Sequence, residues 1–390
     1  MKIDASKLSF RDGQIEVISG SELVRYPEWK SVFAGAYKDH RYYEIVEQTL
    51  DCGFEHYYVL LRTADGNVRA VQPVFFVRQN LVEGLRGKSR ALIEVIRKKF
   101  PRFLTMRILM VGCAAGEGHL GAGSEEDRIK LSEALHAVLG NIARANKASL
   151  IVLKDFSSDY RQTLQGFSGN GYTRIPSMPL TRLELNYANF DDYLSSLGKA
   201  TRKNLRRKFR DAERTGKIDL EIVNDITAYV DEVYPLYLQV HQRSAMKFET
   251  LTKDYFYRLS REMPDRTRFF IWRQHGKIIA FSLCFVHADT IYDEYLGMDY
   301  PIALDLHLYF YTLRDIIAWA LEQRLRYYCS TPLNYDPKLH LRCHLVPLDL
   351  YVRHTMPLVN PIFRRAAKFL EPTRHDPVLR QFPNAAALLN

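Results

Sequence analysis

Cysteine is scarce: Cys52, Cys113, Cys284, Cys329 and Cys343 are the five among 390 residues. They are scattered and odd in number, with no C-x-x-C pair and no Cys/His metal spacing. That pattern excludes a disulfide framework and a zinc finger and fits a reduced compartment. Long apolar runs are also absent. No stretch of 18 apolar residues occurs, and Met1 to Gly20 carries charged and polar side chains where a signal peptide would carry its apolar stretch. The expected location is the cytoplasm, with peripheral attachment at the inner membrane as an option. The glycine-rich run Gly112 to Gly123 lacks a Lys-Ser or Lys-Thr ending, so it is not a nucleotide P-loop. No Ser, His and Asp motif for hydrolysis and no metal site emerges, so covalent and metal catalysis are not expected.

What is present is a chain that can fold. Hydrophobic residues make up 47%, and 24 tyrosines with 21 phenylalanines supply side chains for two cores, as expected at roughly 100 to 200 residues per domain. Fifty-five Lys plus Arg against 45 Asp plus Glu leave a formal charge of +10, which favours an anionic partner: a phosphate cofactor, a nucleic acid or a membrane surface.

Periodicity predicts a helix near Glu28 to Leu50, a hairpin from His56 to Val77 turning at Ala64-Asp65-Gly66-Asn67, and a basic amphipathic segment from Gly84 to Phe103. A strand Arg107 to Val111, a glycine-rich run Gly112 to Gly123, a helix from Ser124 to Ala145 and a strand Leu150 to Leu153 follow. The second half repeats this order. Helices are predicted at Asp191 to Thr215 and Ile226 to Arg243, then a hairpin turning at Gln274-His275-Gly276, a strand Thr290 to Met298, a helix Leu304 to Gln323 and a strand Arg326 to Cys329. The stretch Gly166 to Thr181, rich in Gly, Ser, Asn and Pro, reads as the join. The division expected is residues 1–175, 176–356 and a tail 357–390.

Particular runs carry a family resemblance. Phe190-Asp191-Asp192-Tyr193-Leu194 with Leu197 and Thr201-Arg202-Lys203-Asn204-Leu205-Arg206-Arg207, the strand Ile291 to Gly297, and Leu306-His307-Leu308 resemble stretches of the FemAB-like branch of the GNAT acyltransferase superfamily. Lys338-Leu339 and Val346-Pro347 fall at the spacing of a later family motif, although Arg342 stands where the family usually has glycine. The resemblance implies an α/β fold with a mixed sheet in tandem GNAT-like domains, the second carrying the active site. It also implies an acyl-CoA donor, bound without metal, with Tyr300, Ile302, Ala303, Tyr328, Asn334 and Lys338 as cofactor-binding candidates.

Transfer to an amine needs a base, because only the neutral amine attacks a thioester. Alternation along Thr290 to Leu296 puts Tyr292 and Glu294 on one face and Asp293 and Tyr295 on the other, so one carboxylate is expected to face a cleft. Glu294 and His307 are the leading catalytic candidates, Asp293 the third, and Tyr309, Tyr311, Tyr327 and Tyr328 are possible donors to a leaving thiolate. The nine basic residues from Lys199 to Lys217, Arg202, Lys203, Arg206 and Arg207 among them, read as an anion or membrane platform or as a solvated face. Arg78 to Arg107 holds nine more. The glycine run reads as a phosphate cradle or a structural turn. In the tail, Leu358, Ile362, Phe363, Ala366, Phe369 and Leu370 can share a face flanked by Arg364, Arg365 and Lys368, as an interfacial helix or a segment packed on the body.

The reading reached is an acyl-CoA-dependent N-acyltransferase acting on an amphiphilic amine such as a sphingoid base, in the manner of a bacterial ceramide synthase. The alternatives are a FemAB-like transferase using aminoacyl-tRNA and a peptidoglycan precursor, and a non-catalytic membrane or envelope binding module.

Overall fold

The computed structural model describes residues 8–10, 13–50, 53–80, 105–244, 247–369 and 371–389. Cys52 and the basic segment Gly84 to Phe103 fall outside the described residues. The chain forms two compact units, Met1–Ser177 with Leu348–His375, and Met178–Pro347 with Asp376–Asn390. Residues 348–356, placed with the second half on sequence grounds, therefore belong to the first unit, and the tail divides after His375.

In the first unit, β1 (Leu8–Phe10), β2 (Gly13–Ile18), β3 (Phe54–Thr63), β4 (Val68–Asn80) and β5 (Thr105–Val111) pair antiparallel in sequence order. The β3–β4 turn uses Gly66 at φ +88, a conformation open to glycine at no steric cost. The helix predicted from Glu28 to Leu50 is interrupted. Its main piece, α1 (His40–Thr49), starts only after Asp39, whose side chain accepts the Arg41 N–H at 3.0 Å and caps the first turn. After β5 comes α2 (Glu125–Ala145), capped by Ser124 and opened by Glu125, Glu126 and Asp127 against the helix dipole. It leads to β6 (Leu150–Ser157), parallel to β5, and residues 348–354 pair antiparallel with β6. Leu131, Leu135, Val138 and Leu139 of α2 bury against Val59, Leu61, Val74, Leu109 and Val111 of the sheet.

The second unit opens in β7 (Thr173–Glu184), a strand that begins in the first unit and runs through the stretch read as a loop. Its prolines, Pro176 and Pro179, already hold φ in the range an extended chain needs and forgo only an N–H. Buried Ile175, Met178 and Leu183 outweigh them. The single helix predicted from Asp191 to Thr215 is two: α3 (Phe190–Ser196), capped by Asn189, and α4 (Lys199–Glu213), entered through Gly198. Then come β8 (Ile218–Val223), α5 (Val230–Arg243), α6 (Lys253–Glu262), β9 (Thr267–Gln274) and β10 (Lys277–His287). The β9–β10 hairpin turns at His275 and Gly276 with φ of 51° and 77°, the pair of positive angles that matches strand twist. β11 (Thr290–Met298), α7 (Leu308–Glu322) and β12 (Tyr327–Ser330) follow, with β8 to β11 antiparallel in order, β12 parallel to β11, and β12 antiparallel to residues 181–184 of β7. A hairpin leading to a strand, a helix and a parallel strand thus occurs in each unit, which is the mixed-sheet α/β arrangement of tandem GNAT-like domains.

Candidate active site

β11 and β12 stay paired only from Thr290 opposite Tyr327 to Asp293 opposite Ser330. Beyond that point β12 ends while β11 continues to Met298, so the strands part at Asp293. The pairing of β10 with β11 slips at the same place: Leu283 lies opposite Tyr295 and Cys284 opposite Asp293, which leaves Glu294 as an extra residue. This is a β-bulge, and it resets the alternation of side chains. Asp293 and Tyr295, expected on one face, lie on opposite faces. Tyr295 donates to Glu249 at 3.1 Å and rests against Tyr237 and Tyr255 of α5 and α6. Asp293 turns to the side of Ser282, Cys284 and Tyr328.

The carboxylate of Asp293 accepts from Ser282 Oγ at 2.5 Å and from Tyr328 OH at 2.8 Å, with Cys284 Sγ 3.8 Å away. Ser282 and Tyr328 are fully buried, whereas Asp293 keeps partial exposure. Burial pushes the Asp293 carboxyl up, against the two hydroxyl donors and the Lys338 charge, which pull it down. A raised carboxyl sits nearer the working pH and is a better proton acceptor than an ordinary aspartate. Tyr309, near the start of α7, hydrogen-bonds the side chain of Asn334, and burial followed by the Asp293 charge pushes its phenol up.

After β12 the backbone turns through Leu333 and Asn334 at φ 75° and 50°. Two consecutive left-handed residues other than glycine carry roughly 1–3 kcal/mol of strain each and persist only where the surroundings impose them. Lys338, on the short helix α8 (Tyr335–His340), imposes them: its Nζ donates to Thr331 O at 2.5 Å and Leu333 O at 2.8 Å. Burial brings its amine down to about 8, with Cys343 and Asp293 opposing. Thr331 Oγ1 donates to the carbonyl of Glu294 at 3.2 Å, tying this loop to the bulge.

Asp293, Tyr328, Asn334 and Lys338 therefore come together. Glu294 is buried in the bulge beside them. His307 occupies the residue before α7 at φ 46°; burial, then Lys208 and Arg207, lower its pKa, and Asp211 and Asp305 are its acidic neighbours. That places it on the rim with α4. Lys208 Nζ sits 3.1 Å over the Phe310 ring. Tyr300 donates its N–H to Gln239 Oε1 at 3.0 Å and lies under the Arg243 guanidinium; Ile302 is half-buried, and Ala303 is buried in the core, where it offers no surface to a cofactor. Of the four basic residues singled out on α4, Arg202 donates to Ser195 O and Leu197 O and so closes the end of α3, while Lys203, Arg206 and Arg207 are exposed. Ser282 escaped the sequence reading. Its signal was a hydroxyl in the otherwise apolar run Ile278 to Val286, since a buried hydroxyl needs a partner.

The corresponding place in the first unit is closed. The run Gly112 to Gly123 follows β5 and is stitched to the unit through its own amides and carbonyls: Gly118 N–H donates to Asp155 O, Gly121 N–H to Gln72 Oε1, and Ala115 O and Gly116 O accept from Tyr42 and Lys154. A Cβ on Gly116, which lies at φ +125, would come within 2.5 Å of Lys38 Nζ. These glycines serve close packing, a structural turn.

Similarities to known proteins bear on the family and the fold. The FemAB-like family, described as peptidoglycan biosynthesis/recognition, matches residues 22–330. Proteins named putative 8-amino-7-oxononanoate synthase 2 from two strains of Mycobacterium tuberculosis are 22% identical over 328 residues, 80% of this chain and 42% of theirs. The chain thus spans less than half the length of these curated relatives. The crystal structure of FemX is similar over 86% of this chain and 97% of that one, with 12% identity and a TM-score of 0.52, a likeness of fold. With more than three quarters of its length inside the match, the chain belongs to the FemAB-like family.

Proposed function

We infer that the chain is an N-acyltransferase whose acceptor is a primary amine and whose chemistry takes place where β11 and β12 part. The observation that carries this reading is Asp293: a part-exposed carboxyl, raised by burial and oriented by two hydroxyl donors, at the end of the strand pairing. Asp293 takes the ammonium proton, directly or through water. The neutral amine attacks the activated carbonyl carbon, the N–C bond forms, and the C–O or C–S bond to the leaving group breaks. In this reading Tyr309 gives a proton to the leaving atom, and the second proton lost from the nitrogen as the amide forms returns through water to the Tyr309 phenol.

Family membership supports an aminoacyl ester of tRNA as donor and a peptidoglycan precursor amine as acceptor, with Lys203, Arg206 and Arg207 facing RNA phosphates. A second reading has a fatty acyl-CoA as donor and an amphiphilic amine, such as a sphingoid base, as acceptor. It is supported by the relatives' name, which denotes an amine on an oxo-substituted alkyl chain.

The purified chain is to be supplied in parallel with labelled aminoacyl-tRNA plus a peptidoglycan precursor and with labelled palmitoyl-CoA plus sphinganine, following label into amide. One arm gives product, and Asp293→Asn lowers its kcat by about 100-fold or more, the scale of losing a general base. No amide in either arm, or an unimpaired Asn variant, defeats the reading.

A further inference from the structure

Near its end the first unit carries a helix, Asn360–Phe369, that is held to the body by one side only. Asn360 is its anchor: Oδ1 accepts the His354 N–H at 2.9 Å and Nδ2 donates to Gly171 O at 2.8 Å. Farther along, Phe363 packs against His354, Arg364 Nε donates to Thr173 Oγ1 at 3.2 Å, and Ala367 is buried. The interfacial face expected from the sequence is thus split, because Phe363 turns inward.

The other side carries Leu358, 88% exposed, and Ile362, 70% exposed, with Met356 just before them at 56%. These are among the most exposed large apolar side chains described. Leu358 and Ile362 are four residues apart and the turn leading into the helix is hydrogen-bonded, Asn360 N–H to Met356 O at 3.0 Å and Phe363 N–H to Val359 O at 3.0 Å, so both project from one face. Exposed Arg365 and Lys368 flank them. From Tyr351 to Leu370 the sequence holds Arg353, Arg364, Arg365 and Lys368 and no Asp or Glu.

We propose that this helix is an interfacial anchor for an anionic bilayer, with Met356, Leu358 and Ile362 entering the acyl boundary while Arg365 and Lys368 meet lipid phosphates. The charge is complementary to such a surface. Three apolar side chains are too few for a stable protein interface, which buries about 800 Å² per partner, yet they suffice for reversible membrane attachment when cations add to them. No helix among the described residues is long and apolar enough to cross a membrane. The proposal does not depend on which donor the transferase uses.

Flotation of the full chain with phosphatidylcholine vesicles, with and without phosphatidylglycerol, tests it. The chain floats with the phosphatidylglycerol vesicles at low salt and loses most of that binding at high salt. Arg365→Gln with Lys368→Gln weakens the partition by about 30-fold, the product of two contributions of roughly 1 kcal/mol. Leu358→Ser with Ile362→Ser weakens it by about 100-fold. All four side chains are exposed, so unchanged thermal melting confirms that the variants fold. Absence of flotation at low salt, or flotation of both variants equal to that of the unsubstituted chain, overturns the proposal. So does sedimentation showing a dimer that Leu358→Ser with Ile362→Ser dissociates, because a second copy would then be the occupant.

Discussion

A carboxylate beside a buried serine and tyrosine is tolerable only because both hydroxyls aim at it, and the same two bonds decide how strong a base it is. Ser282 and Tyr328 stabilise the ionised form of Asp293, while burial favours the neutral one and prevails. The sign of a substitution follows. Tyr328→Phe removes a donor to the charged form, so the Asp293 carboxyl rises further and the acidic limb of kcat/KM moves to higher pH. For the unsubstituted chain the expected limb lies above the ordinary aspartate value of about 3.9, because burial raises the Asp293 carboxyl. A pH-rate profile of the two proteins measures the displacement; coincident limbs would remove Asp293 from the role of base. The residue could be named from sequence because acids are uncommon in apolar strands. Alternation could only put Asp293 and Glu294 on opposite faces, and the extra residue at Glu294 interrupts that alternation beyond Asp293.

Elements show where sequence patterns carry less information. Hairpins were legible from Gly66 and Gly276, whose positive φ values the turns require. The bulge in β11 leaves no mark in composition, since it is a matter of which residue pairs with which. The strand β7 was obscured by two prolines that read as loop signals. The loop after β12 is a third case: Leu333 and Asn334 hold left-handed angles because Lys338 grips the carbonyls of Thr331 and Leu333 from below. Lys338 also makes the element testable. Its amine is brought down to about 8 in the folded chain, against about 10.4 when unfolded, so the folded state binds fewer protons between those values. Stability therefore rises as pH increases through that window, by on the order of 3 kcal/mol at most. Lys338→Met abolishes that slope while lowering stability at its foot through loss of the two carbonyl bonds. Urea unfolding at several pH values across the window decides it, and identical slopes would show that the amine does not titrate there.

At the scale of the molecule, two units share one order of elements but differ at the place where the parallel strands begin to separate. In the second unit that place holds Asp293 and its donors; in the first it holds the glycine run and, beneath it, a buried ion pair. Lys38 Nζ lies 3.0 Å from Glu117 Oε2, and the two side chains are 1% and 9% exposed. Burial alone would raise the Glu117 carboxyl, yet Lys38, with His119 and Tyr37, holds it well below the usual range. A depressed carboxyl contributes stability above its unfolded value of about 4.3 and loses it as pH falls through the folded one. The two units were legible as repeats from the order of their patterns, but not which of them was closed, because Lys38 lies 79 residues before its partner. If the pair is a structural filling of the first unit, removing one member leaves an unpaired buried charge. Lys38→Met or Glu117→Leu alone is then expected to cost about 3–5 kcal/mol, and the double substitution clearly less than the sum. Neither single change should alter kcat on the amine acceptor once the protein is folded, since the proton acceptor belongs to the other unit. A thermodynamic cycle over the four proteins, with kcat measured on each, separates the outcomes. Additive losses would mean the two charges do not depend on one another, and a fall in kcat comparable to that of Asp293→Asn would move the chemistry to the first unit.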